Sequence, residues 1–114
     1  MRIGYASKKL QKICNQTKAA AKLLKGTKIP PDLLFQRIGE LGAFSDLGQI
    51  PFQATPLHFH PLRGDWAGAY AVTLHSLWRI VFEPAGEFEQ LEDGSPDKST
   101  VTDITILAVE NYHG

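Results

Sequence analysis

The spacing of apolar residues changes once along this chain, and that change limits the folds open to it. Before Gly42 they recur every three or four positions; after Leu57 they alternate with polar ones. Leu10, Ile13, Cys14, Thr17, Ala21 and Leu24 form one helical stripe, capped by Ser7 and running to about Lys25. Gly26 stops that helix, and Pro30-Pro31-Asp32 opens a second, with Leu34, Ile38 and Leu41 as its buried face and Gly42 as its end.

The segment GQIPFQAT, residues 48–55, has no period and contains Pro51, so it reads as a connecting loop. Leu57 and Phe59 then point one way and His58 and His60 the other, a short strand that Pro61 should end. Turn residues 63–65 and 67–68 precede a strand over about 69–74, with Tyr70, Val72 and Leu74 on one face. His75-Ser76 turns into a third strand, residues 78–83. Residues 84–98 are acidic, hold Gly86, Gly94 and Pro96, and read as an exposed excursion; a Thr-, Ile- and Val-rich strand closes the chain over 101–109. The expected fold is α+β: two N-terminal helices packed on an antiparallel sheet of about four strands, in one domain spanning residues 1–114.

Composition matters mainly for what it excludes. With 43% hydrophobic and 21% charged residues the chain is an ordinary globular sequence. Cys14 has no cysteine to pair with, and no stretch has the roughly 18 consecutive apolar residues of a membrane span, so a cytoplasmic protein with no membrane contact is expected. The formal net charge of zero conceals a gradient. Arg2, Lys8, Lys9, Lys12, Lys18, Lys22, Lys25 and Lys28 precede any acid, whereas from Glu83 to Glu110 the acids face only Lys98. Such asymmetry fits a polyanion-binding surface, with Lys8 and Lys12 as contacts, and equally a solvated basic helix balanced by an acidic loop.

The chemistry-bearing residues are His60, Arg63, Arg79, Tyr112 and His113. Metal-free RNA cleavage must deprotonate a 2′-OH, stabilise the phosphate and protonate the departing 5′ oxygen. Histidine, with an unperturbed pKa of about 6.5, suits either proton step, and arginine's planar fork suits the phosphate. His60 and His113 are therefore candidate base and acid in either order, and Arg79 and Arg63 candidate phosphate contacts. Tyr112 could stack on a base, hydrogen-bond the phosphate or simply close a core strand. Arg79 sits in an apolar strand, either on an open face or paired with Glu83 or Asp65. Trp66 and Trp78 suit packing better than base stacking. The spacing of His58, His60, His75 and His113 matches no metal signature, and no cofactor is expected. Arg63-Gly64-Asp65 is most simply a turn.

The ordered set His60-Pro61-Leu62-Arg63-Gly64-Asp65, Gly68, Trp78-Arg79-Ile80-Val81-Phe82 and Tyr112-His113 resembles the HigB branch of the RelE/ParE toxin superfamily, over roughly residues 33–113. The resemblance implies two helices against a four- or five-stranded sheet. It also implies a toxin that cuts messenger RNA in the ribosomal A site, neutralised by a cognate antitoxin such as a HigA-like helix-turn-helix protein. The family's functional positions fall on His60, Asn111, Tyr112 and His113. Asn111 departs from the family by replacing an acid, and the excursion over 84–98 is longer than in compact members. Two other functions stay open: a ParE-type toxin that binds DNA gyrase without cutting RNA, and an inactive antitoxin-binding relative.

Overall fold

In the computed structural model, which describes residues 1–112, the order is β1 (Arg2–Tyr5), α1 (Lys8–Asn15), α2 (Thr17–Leu23), α3 (Pro31–Ala43), β2 (His60–Pro61), β3 (Tyr70–His75), β4 (Trp78–Ala85) and β5 (Asp103–Asn111). The single helix expected over 7–25 is two. Gln16 adopts extended angles, φ −126° and ψ 127°, between them. The run Asn15-Gln16-Thr17 favours a break, because Asn15 turns its side-chain amide onto the Gln11 carbonyl at 2.7 Å and Thr17 is β-branched. One non-helical residue turns α2 about its own axis relative to α1, so Ala20 is buried in place of Ala21 and Thr17 is exposed. Ser7 caps α1 as expected, its hydroxyl accepting from the Leu10 N–H at 3.1 Å. Pro31 starts α3, and Leu34, Ile38 and Leu41 are its buried residues.

The five strands form one sheet in the order β1-β5-β4-β3-β2, with β1 parallel to β5 and every other pair antiparallel. The extra strand is β1. Four residues including a glycine carry too little pattern to be read, and only their pairing with β5 makes them a strand. β2 ends at Pro61, as expected; Pro61 pairs with Tyr70 at the edge of the sheet, where its missing N–H is tolerated. The ladder stops on the other side, because His58 is left-handed at φ 47°. β4 continues through Pro84 and Ala85, and β5 begins at Asp103, two residues later than expected. The acidic excursion beyond β4 is tied by a Gln90–Pro96 bridge and by the Asp97 N–H donating to the Glu89 carbonyl at 2.8 Å.

α1 and α3 pack on one face of the sheet, with α2 against both helices, and together they make the core. Its inner rows are Tyr70, Val72 and Leu74 on β3, Ile80 and Phe82 on β4, and Ile104, Ile106 and Val109 on β5. Phe59, Tyr70 and Phe82 stack as one aromatic group, with centroids 5.2–6.2 Å apart. No helix among the described residues is long and apolar enough to cross a membrane.

Cys14 lies in this core, and burial pushes its thiol up to about 11 from an ordinary 9.0. Burial raises the Tyr5 and Tyr70 hydroxyls too. All three must stay protonated in the fold while the unfolded chain ionises at its ordinary values. Stability is therefore full below about pH 9 and declines as pH climbs. Urea midpoints should accordingly fall between about pH 8 and pH 10.5, and iodoacetamide should label Cys14 only as the chain unfolds. Rapid labelling of the native protein would contradict this packing.

Candidate functional site

The sheet's other face carries no helix, and the register decides which side chains share it. His60 pairs with Ala71, which pairs with Val81, which pairs with Ala108. One step along, Thr73 pairs with Arg79, and Arg79 with Glu110. Directly opposed residues point to the same side of a sheet, so His60 and Arg79 stand on one outer face, across a floor of Ala71 and Val81. Two strand spacings of about 4.8 Å and two residues of about 3.3 Å put their backbones roughly 12 Å apart. The Arg79 side chain leans away from β2, toward β5, where its partners Glu110 and Tyr112 lie.

His60 is held by its own strand: Nδ1 lies 2.7 Å from the His58 carbonyl. A carbonyl oxygen can only accept, so Nδ1 carries the hydrogen and Nε2 of the neutral ring is left as the proton acceptor. Arg79 stands on the outer face, largely buried and paired, and its partner is Glu110 rather than Glu83 or Asp65. Nε and Nη2 donate to one Glu110 carboxylate oxygen at 3.1 and 2.9 Å. The guanidinium also sits over the Tyr112 ring, 4.9 Å from its centroid. The Tyr112 N–H donates to the Leu77 carbonyl at 3.2 Å, which fixes the chain beyond β5 against the β3–β4 turn.

The Arg79 and Glu110 side chains are 16% and 31% exposed, between a surface pair and a buried one. Glu110→Gln should then cost about 1–2 kcal/mol, above the 0–1 of exposed pairs and below the 3–5 of buried ones. A urea midpoint measures it, and no shift would mean the pair is solvated.

Other expected residues are not brought here. Arg63 lies exposed beyond the opposite end of β2 from the Arg79 row, leading into the 3-10 turn Gly64–Trp66. Asn111 pairs with Trp78, one step out of phase with Glu110, so alternation sets it on the helix side. Lys8 and Lys12 are exposed on α1, whose buried residues Leu10 and Cys14 face the core, placing them on the far side of the molecule. His113 is outside the described residues. Sequence reading missed Glu110 as Arg79's partner; nothing before folding gives the register of two strands joined by so long an excursion. It also weighed His58 only as a metal ligand. Among the described residues no group of three or more His, Cys, Asp or Glu side chains is placed to hold a metal.

No family profile and no curated protein matches the sequence. Three helices against a mostly antiparallel sheet with a parallel first strand make an α+β fold. Among solved structures the chain is similar to a YoeB/ParE toxin from Agrobacterium tumefaciens, at 13% identity and a TM-score of 0.54, covering 98% of this chain and 99% of that one. That likeness is one of fold, over the whole length, and does not single out the HigB branch.

Proposed function

We propose that this chain is the toxin of a toxin–antitoxin pair, HigB-like in action, which cuts messenger RNA on the ribosome in the cytoplasm. A cognate antitoxin, on the HigA-like pattern a helix-turn-helix protein, would hold it inactive. The observation that carries the reading is the pinned His60 ring, which the register sets on the same outer sheet face as Arg79. Nε2 of His60 takes the proton of a 2′-OH; the oxygen attacks phosphorus, the bond to the 5′ oxygen breaks, and a 2′,3′-cyclic phosphate and a 5′-OH result. Arg79 would supply positive charge to the phosphate only by exchanging Glu110 for it, and Tyr112, beside it, offers a ring to a neighbouring base.

Incubating the purified protein with programmed ribosomes and mapping message ends tests this directly. Ends bearing a cyclic phosphate are expected, and intact message at stoichiometric protein would refute it.

A second reading has an observation of its own. The basic residues Lys9, Lys12 and Lys22 flank Ile13, Ala19 and Leu23 around a groove of about 450 Å³ between α1 and α2, remote from His60. A ParE-type toxin that binds gyrase could use that side alone. Inhibition of gyrase supercoiling that survives His60→Gln would favour it.

A further inference from the structure

Two imidazoles, not one, stand at the β2 side of the outer face. The His58 ring is exposed and its centroid lies 5.0 Å from that of His60, with the planes at 49°. His58 holds a left-handed backbone at φ 47°, which disfavours a non-glycine residue by about 1–2 kcal/mol. The surrounding turn enforces it: the His58 N–H donates to the Ala54 carbonyl at 2.8 Å and the Gln53 N–H to the Phe59 carbonyl at 2.9 Å. A histidine kept in that conformation beside the candidate base is a functional signal rather than a packing one, because the ring itself is not buried.

The two rings are also prepared in the same way. Nδ1 of His58 lies 3.4 Å from the Gln53 carbonyl, as Nδ1 of His60 lies 2.7 Å from the His58 carbonyl. Both Nδ1 atoms are thus donors to backbone, and both Nε2 atoms are left for proton exchange. Among the described residues neither ring forms an ion pair with a carboxylate, and the two rings face each other. The Arg79 charge is already matched by Glu110. A 5.0 Å separation lies within reach of two hydrogen bonds of about 2.8 Å to one phosphodiester.

We infer that His58 is a second catalytic imidazole, the proton donor to the leaving 5′ oxygen, working with His60 as base. This rests on the nuclease reading above. His60 Nε2 takes the 2′-OH proton as the O2′–P bond forms; the P–O5′ bond breaks and the 5′ oxygen takes the proton from His58 Nε2. His60 ends protonated and His58 neutral, and exchange with water resets them.

The test is single-turnover cleavage on programmed ribosomes across pH, with wild type, His58→Asn and His58→Gly. Asparagine tolerates the left-handed backbone and glycine adopts it freely, so both should fold. A proton donor fails as pH rises, which gives wild type a falling alkaline limb. His58→Asn should lose that limb and about a hundredfold or more in rate, and added imidazole should restore part of the His58→Gly rate. A wild-type rate and profile in His58→Asn, or a slower rate with the alkaline limb intact and no rescue, overturns the assignment alone. An inactive wild type overturns it together with the nuclease reading.

Discussion

His60→Gln is expected to lower messenger cleavage by about a hundredfold to ten-thousandfold, the usual contribution of a positioned general base. Thermal unfolding should barely move, because the ring is half-exposed and its one described hydrogen bond is to the backbone of His58. A surface substitution of that kind shifts stability by about 0.5 kcal/mol. Rate and melting temperature measured on the same preparation separate the two effects. Equal activity in the variant would remove His60 from the chemistry, and a loss tracking the unfolded fraction would reduce it to a scaffold residue.

Phe82→Ala should do the opposite, damaging the fold wherever the chemistry lies. Phe82 is fully buried on β4, stacked 6.1 Å from Phe59 and 6.2 Å from Tyr70, and so links the short edge strand to the centre of the sheet. Truncating a core phenylalanine costs about 3–5 kcal/mol, against a total of about 5–15 for a domain. A fall of that size in urea-derived stability is expected, with partial unfolding at physiological temperature. Phe52, 58% exposed at the edge of the Phe59 ring, is the natural comparison; its truncation should cost under about 1 kcal/mol. Similar losses at both positions would mean that the aromatic group is not the core of the sheet.

The α+β architecture was legible because its strongest signals are local. Leu34, Ile38 and Leu41 recur at helical spacing, and Tyr70, Val72 and Leu74 alternate; all six are buried where that periodicity puts them. What sequence could not supply was non-local. β1 exists through its partner strand, and the Arg79–Glu110 register depends on how an acidic excursion of many residues closes. The break at Gln16 was half visible, since Asn15 and Thr17 are weak helix residues, but the apolar stripe ran on through them. For the site, alternation correctly put His58 and His60 opposite Leu57 and Phe59, whereas the phase of Asn111 relative to Glu110 required the paired strand. Lys8 and Lys12 illustrate a different failure: charge counts say that a surface is basic, not which side of the molecule it covers.

The position of β5 has a consequence for synthesis. It is translated after the other four strands, yet it lies between the first strand and β4. The growing chain cannot join those two halves until residues 103–111 have left the exit tunnel. Closure then requires the longest-range pairing in the molecule, a slow kind of event. Glu110 and Tyr112 arrive with it, so the outer face is assembled only once β5 has docked.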